Sequence, residues 1–266
     1  MSGRTPQKDA AEKTKVKSRE PRHVAMRRHA LADKGKPGEP KWVLRSFVLF
    51  LASIIIVPMY RVRVTGAENL PTGAYIMSPN HLSNMDAIVV IALTRRYGFK
   101  LRLLGKRNLW KFKPLAWIID QAGALPISRD KADLDTMRKA SNLLKAGDTI
   151  GIFPEGTRIR NEDMMVDKDH GLGEAHGGAA WLAIRNNVPV VPVGIAGTDR
   201  IRPDGMRTLR FPAVDVHFGE ALVPDEVVPA SEYAKKERIA RLTDLVMEGI
   251  AASFEVARTD NAKRSR

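Results

Sequence analysis

The sequence contains no cysteine. Disulfides, thiolate zinc sites, iron–sulfur clusters and a cysteine nucleophile are therefore excluded, while the compartment stays open. Aromatic residues make up only 6%, and no helix-turn-helix, RNA-recognition or zinc pattern accompanies them, which argues against a nucleic-acid-binding module. There is no Gly-x-x-x-x-Gly-Lys-[Ser/Thr] phosphate loop and no Gly-x-Ser-x-Gly nucleophile elbow. Gly171 and Gly173, followed by Gly177-Gly178, come nearest to a dinucleotide fingerprint. Their spacing is wrong and no strand precedes them, so they read as a flexible loop. Acid is scarce relative to base: 30 Asp+Glu stand against 44 Lys+Arg, a formal charge of +14. That surplus calls for an anionic partner, whether nucleic acid, anionic lipid or a phosphorylated substrate.

What is present is enough for a core. With 266 residues, 44% hydrophobic and 28% charged, the chain suits one folded domain with appendages. Global disorder, collagen and a polytopic membrane protein are ruled out. The charge is unevenly placed. Residues 1–41 hold 12 Lys+Arg and 5 Asp+Glu, half of the surplus, with four prolines and few large apolar residues. This stretch reads as a disordered basic arm. It fits neither a signal peptide nor a mitochondrial presequence, since its charged region is too long and acids interrupt it.

Uncharged Ser46 to Tyr60 follows. As a helix these fifteen residues reach about 22 Å, short of a hydrocarbon core of about 30 Å. Residues 42–60 therefore read as a membrane-associated helix, re-entrant or interfacial rather than spanning, with Arg45 snorkelling and Pro58 ending the helix. A buried core helix is the alternative.

From residue 61 to 257 short β-rich runs at 61–64, 74–77, 124–127, 149–153, 188–195 and 213–218 alternate with helical patterns at 86–97, 131–146 and 178–186. The expected fold is α/β, a mostly parallel sheet flanked by helices. Pro189 and Pro192 predict irregular pairing in the run at 188–195. A final helix is expected over 231–257, then a frayed basic tail over 258–266.

Two motifs carry chemistry. Asn80, His81, Ser83, Asn84 and Asp86 lie at a strand-to-helix turn, where open α/β sheets place ligands. His81 and Asp86 are five apart, close enough in such a turn for the carboxylate to fix one ring nitrogen and free the other as a general base. As a bare pair the spacing is weak, since a capping turn with an incidental histidine would give it too. Phe-Pro-Glu-Gly-Thr-Arg at 153–158 follows a strand and puts Glu155, Gly156, Thr157 and Arg158 at another sheet edge, where Arg158 suits a phosphate or carboxylate. Arg129 stands in the same relation to the strand before it. Ala87 to Ile119 holds eight Lys/Arg and no acid. Asp167, Asp169, His170, Glu174 and His176 resemble a hard-metal set, but a solvated polar loop is the preferred reading, and no metal is expected.

Together these segments resemble the glycerolipid acyltransferases, among them the bacterial 1-acyl-glycerol-3-phosphate acyltransferases, over about residues 60–220. The family's Asn-His-x-x-x-x-Asp block reads Asn80 to Asp86 here, its Gly-x-x-x-x-x-Arg block places Gly123 and Arg129, and its Phe-Pro-Glu-Gly-Thr-Arg block is matched at every position by 153–158. Its Pro-containing apolar strand looks like 188–198. Two departures are Asn108, where members often carry Glu, and Ala175-His176-Gly177-Gly178 in place of a Phe-Lys-x-Gly type sequence.

The resemblance implies direct transfer of a fatty acyl group from acyl-CoA or acyl carrier protein to the 2-hydroxyl of 1-acyl-glycerol-3-phosphate. His81 would be the general base and Asp86 its orienter. Asn80, Arg129, Glu155, Gly156, Thr157 and Arg158 would bind the acceptor. It implies no cofactor beyond the acyl donor, an anionic membrane surface as partner, no nucleic acid, and the cytoplasmic face of the cell membrane as location. Another acceptor (glycerol-3-phosphate, a lysophospholipid or a different lipid hydroxyl) is the alternative. A basic non-catalytic membrane- or nucleic-acid-binding protein is a distant one.

Overall fold

The computed structural model describes residues 42–111, 113–127, 133–156, 175–201 and 210–264. The basic arm lies outside these residues. Seven strands form one sheet: β1 (Arg63–Thr65), β2 (Ile76–Pro79), β3 (Leu101–Lys106), β4 (Leu125–Ile127), β5 (Thr149–Gly151), β6 (Val190–Ala196) and β7 (Asp215–Phe218). Their order is β1-β7-β6-β2-β5-β3-β4. Every pair is parallel except β6 with β7. The helices are α1 (Trp42–Met59), α2 (Asn84–Tyr97), α3 (Lys113–Gln121), α4 (Leu134–Lys145), α5 (Gly178–Asn186), the single turn α6 (Pro224–Val227) and α7 (Lys235–Arg264). The mostly parallel α/β sheet flanked by helices is thus the fold expected from the alternating texture.

Side-chain alternation divides the core between the two faces of the sheet. Met77, Val191, Val193 and Ile195 pack with Val89, Val90 and Leu93 of α2, and Ile56 and Val57 of α1 lie against them. Ile76, Ile150 and Val190 point the other way, toward Leu144 of α4, Leu182 of α5 and Leu242, Val246 and Ile250 of α7. Buried on both faces, β6 has no exposed residue, which explains its unbroken apolar run. The irregular pairing expected from its prolines is found toward β7, where Val193 stands opposite Phe218 but Val190 opposite Leu222, one residue more on the partner segment, while the register with β2 is unbroken. Pro189 lies before the strand, where its carbonyl accepts from Ile76 N–H, and Pro192 accepts from Gly219 N–H at 2.9 Å. Both prolines therefore serve as acceptors, the role left to a residue without an N–H. Helix α7 lies directly on β6: a Cβ on Gly194 would come within 2.1 Å of the Ser253 carbonyl oxygen, so only glycine fits there.

Three differences from expectation have physical causes. Strand β3 was not foreseen, because Arg102 interrupts its apolar pattern; Arg102 is buried in an ion pair with Asp148 at 2.8 Å. The last helix continues past 257 to Arg264, since its final turn is tied to the sheet. Arg264 Nη1 donates to Asp215 at 2.7 Å and Nη2 to the Arg61 carbonyl at 2.6 Å. Arg45 does not snorkel: it is buried, and its Nη2 donates to the Leu101 carbonyl at 3.3 Å.

Helix α1 ends one residue after Pro58. Its 18 residues extend about 27 Å, and among the described residues no helix is long and apolar enough to cross a membrane. One side of α1 packs on α2 and α3. Val43, Phe47, Phe50, Ile54 and Ile55 are exposed.

Candidate active site

Strand β2 occupies the middle of the sheet, between β6 and β5. Its C-terminal end opens into the loop that begins α2, and the ends of β5 and β6 lie on either side. Within that loop Ser83 has extended backbone angles and caps α2. Its hydroxyl accepts from Met85 N–H at 3.3 Å, while Asp86 Oδ2 accepts from Ser83 N–H at 2.7 Å. This reciprocal capping box puts the Asp86 carboxyl in the first helical turn, facing back over the loop. The same Oδ2 meets His81 Nδ1 at 3.1 Å. With Nδ1 donating to this oxygen, the second ring nitrogen, Nε2, keeps its lone pair.

The surroundings hold the histidine from several sides. Its side chain is 15% exposed, whereas Asp86 is wholly buried. Phe153, from the end of β5, lies over the imidazole with centroids 4.2 Å apart and planes inclined by 32°. Glu155 Oε1 accepts from His81 N–H at 3.3 Å, linking the two loops through a carboxyl that is itself buried. The turn carrying Glu155 is closed by Gly156 N–H to the Phe153 carbonyl at 3.1 Å, and His176 N–H donates to the Pro154 carbonyl at 2.9 Å. The segment before α5 is thus brought to the site's edge. From the turn after β6, Thr198 Oγ1 donates to Asp86 Oδ1 at 2.5 Å.

His81, Asp86, Glu155 and Gly156 are therefore brought together. Asn80 adjoins them but faces inward: wholly buried, its amide donates to the Ile195 carbonyl at 3.1 Å and its oxygen accepts from Ile195 N–H at 2.7 Å. The geometry gives Asn80 the task of fastening the loop to β6, in place of the acceptor contact expected of it. Arg129, Thr157 and Arg158 lie outside the described residues, as do Asp167, Asp169, His170 and Glu174. Among the described residues no group of His, Asp and Glu is placed to hold a metal ion. Phe153 and Thr198 were not singled out as site residues in the sequence. Phe153 lies inside a recognisable block, so its place there was the available signal. Thr198 likewise closes the segment 188–198, but its partner Asp86 lies 112 residues away, a pairing that no spacing shows.

A histidine hydrogen-bonded to a buried carboxyl, with Nε2 unclaimed by any described residue, is equipped to take a proton from a hydroxyl and return it.

Comparison with known proteins bears on that chemistry. The Acyltransferase family model matches residues 61–196. A chloroplastic 1-acyl-sn-glycerol-3-phosphate acyltransferase of Brassica napus is 32% identical over 58% of this chain and 42% of its own length, so the match spans less than half of that relative. A 1-acyl-sn-glycerol-3-phosphate acyltransferase of Borreliella burgdorferi is 26% identical over 78% of this chain and 74% of its own. The crystal structure of the 1-acyl-sn-glycerophosphate acyltransferase of Thermotoga maritima has the same fold, with a TM-score of 0.60 at 22% identity over 88% of this chain and 87% of that one.

Proposed function

The chain belongs to the acyltransferase family, and on that premise we propose that it moves a fatty acyl group from a thioester, acyl-CoA or acyl carrier protein, to the 2-hydroxyl of 1-acyl-glycerol-3-phosphate, giving phosphatidate. The observation that carries this reading is the His81–Asp86 pair at 3.1 Å. The names of the Brassica and Borreliella relatives support the acceptor.

In the proposed mechanism His81 Nε2 removes the proton of the acceptor hydroxyl as its oxygen attacks the thioester carbonyl carbon. Asp86, bonded to Nδ1, stabilises the imidazolium that forms. Collapse of the tetrahedral intermediate forms the ester bond and breaks the C–S bond. The departing thiolate takes its proton from His81, and the base is restored. No acyl-enzyme is required, so both substrates are bound together. The Glu155 backbone N–H, in the turn at 154–156, is the proposed donor to the oxyanion. Arg129 and Arg158, which follow β4 and β5 in sequence, are the proposed ligands of the acceptor phosphate.

The proposed setting is the cytoplasmic face of the cell membrane. Its support is the exposed apolar side of α1, joined by exposed Trp117 and Ile118 of α3, which packs beside it. The occupant proposed for this face is an anionic bilayer, because the arm preceding α1 carries a net +7 and cations beside an apolar helix bind anionic headgroups.

The test is thioester release by the purified full chain, with 1-acyl-glycerol-3-phosphate, glycerol-3-phosphate and a lysophospholipid offered in parallel. Release should depend on 1-acyl-glycerol-3-phosphate, and His81→Ala should lower it by at least about 100-fold with an unchanged circular dichroism spectrum. Preference for another acceptor reassigns the substrate, and a folded, fully active His81→Ala removes the mechanism.

A further inference from the structure

The capping box and the histidine account for only one oxygen of Asp86. The other, Oδ1, accepts from Thr198 Oγ1 at 2.5 Å, and both residues are wholly buried. Thr198 stands two residues beyond β6 and beyond the segment matched by the family model. Its approach to Asp86 is built into the backbone. Asn80 locks Ile195 to the loop before α2 by two hydrogen bonds. Gly197 then turns the chain with φ of +95°, at a place where a Cβ would come within 2.3 Å of the Ala213 carbonyl oxygen. Beyond it, Ile201 N–H closes a turn on the Thr198 carbonyl at 3.2 Å.

From this geometry we propose that Thr198 is a positioning residue of the transfer reaction, its hydroxyl fixing the Asp86 carboxyl so that Oδ2 stays aimed at His81 Nδ1. The inference rests on His81 acting as the base. A carboxyl group turns about its Cβ–Cγ bond, and the two donors on Oδ2 constrain one oxygen only. The third donor fixes the plane. It also draws charge from the carboxylate, so that the imidazolium formed in the first half of the reaction is free to pass its proton to the thiolate in the second. Of the described titratable groups, Glu155 approaches the histidine from the loop after β5. Asp199, next to Thr198, is exposed, and neither is altered by the substitutions below.

The experiment compares Thr198→Val and Thr198→Ser in the full chain, measuring kcat, KM for the acceptor, the pH profile and the thermal midpoint, with His81→Ala assayed beside them. Valine keeps the shape and removes the donor. It should lower kcat about tenfold or more and leave KM within about twofold. The acidic limb of the kcat–pH profile should move up by about half a unit, because a carboxylate with one donor fewer holds the proton on His81 more firmly. Serine restores the hydroxyl and should bring kcat to within about threefold of the original, with the limb in its original place. Should the valine protein not fold, Thr198→Cys, a weak donor, should show the same loss and shift in smaller measure.

Unchanged kcat and pH limb in folded Thr198→Val, or in Thr198→Cys where that variant carries the test, overturns the proposal. So does a serine variant as impaired as valine, or an effect confined to KM. An active His81→Ala defeats the reading of the base itself. An inactive His81→Ala beside an intact Thr198→Val removes only the role of Thr198.

Discussion

Asp86 belongs to two structures at once. Its Oδ2 completes the capping box with Ser83 and also holds His81, so the interaction that starts α2 is the one that sets the imidazole. Local folding and site geometry share one side chain, and Asp86→Asn would disturb both. A second histidine shows the opposite relation to its surroundings. His217 on β7 accepts or donates at 2.9 Å to Thr65 Oγ1. Burial pushes its pKa below the ordinary 6.5, against the opposing pull of Glu68 and Asp260. Between the lowered value and 6.5 the unfolded chain binds more protons at this position than the folded one. Stability from this group is therefore complete above about 6.5 and falls as pH drops toward the folded value. In His217→Asn, whose amide occupies the place of Nδ1, the urea midpoint should fall less between pH 7.5 and pH 5.5 than in the parent. An equal fall would show that His217 does not titrate in this way.

At the scale of elements, α1 has two sides with different demands. Ile56, Val57 and Met59 pack on the core, and Arg45 is drawn inward to the Leu101 carbonyl. Phe47, Phe50 and Ile54 remain exposed, and Arg95 of α2 stands 5.0 Å from the Phe50 ring centroid. In the proposed setting a bilayer would bury these side chains, each aromatic or branched residue gaining about 1.5–3 kcal/mol. Phe47→Asp with Ile54→Asp should therefore abolish co-sedimentation with phosphatidylglycerol vesicles while the thermal midpoint stays within about 2 °C, since exposed substitutions alter stability little. Undiminished sedimentation would show that another surface meets the bilayer.

The same scale separates what was legible in the sequence from what was not. Strands β1, β2, β4, β5, β6 and β7 and helices α2, α4 and α5 were visible because each carries its own period and its own stop signals. Strand β3 was hidden by Arg102, whose place in a strand makes sense only beside Asp148, 46 residues away. Helix α3 was hidden inside a run of Lys and Arg. Its two exposed apolar residues, Trp117 and Ile118, acquire meaning only next to α1.

At the scale of the whole molecule, α7 runs along the sheet and its last turn fastens the far side. Asn261 Nδ2 donates to the Ala213 carbonyl and to Asp215 Oδ2, each at 2.8 Å. Arg200 Nη2 donates to Asn261 Oδ1. The clamp thus reaches from the chain's end to a residue two places from Thr198. In Asn261→Ala two buried acceptors lose a donor. A loss of about 1–3 kcal/mol should lower the thermal midpoint by roughly 2–12 °C for a domain of this size. Arg258→Ala, which breaks only the exposed pair with Glu255, should leave it nearly unchanged. Equal midpoints for the two variants would deny the clamp its role.

The sequence by itself determined the pieces whose physics is local. The five-residue spacing of His81 and Asp86 closes within one loop and one helical turn. The capping residue is three positions from its partner, and the order of β-rich and helical runs already calls for a parallel α/β sheet. The absence of cysteine pointed to a histidine for the same reason, since residue types are countable without a fold. Tertiary structure alone decided what depends on strand order. It turned Asn80 from an expected acceptor ligand into a fastening to Ile195. It set Phe153 over the imidazole and Glu155 behind His81, and it brought Thr198 to Asp86 across 112 residues of chain. Hydrophobic periodicity records which face of a strand is buried and is silent on which strand lies beside it. Contacts between the ends of neighbouring strands are therefore made by the sheet, and these contacts complete the site.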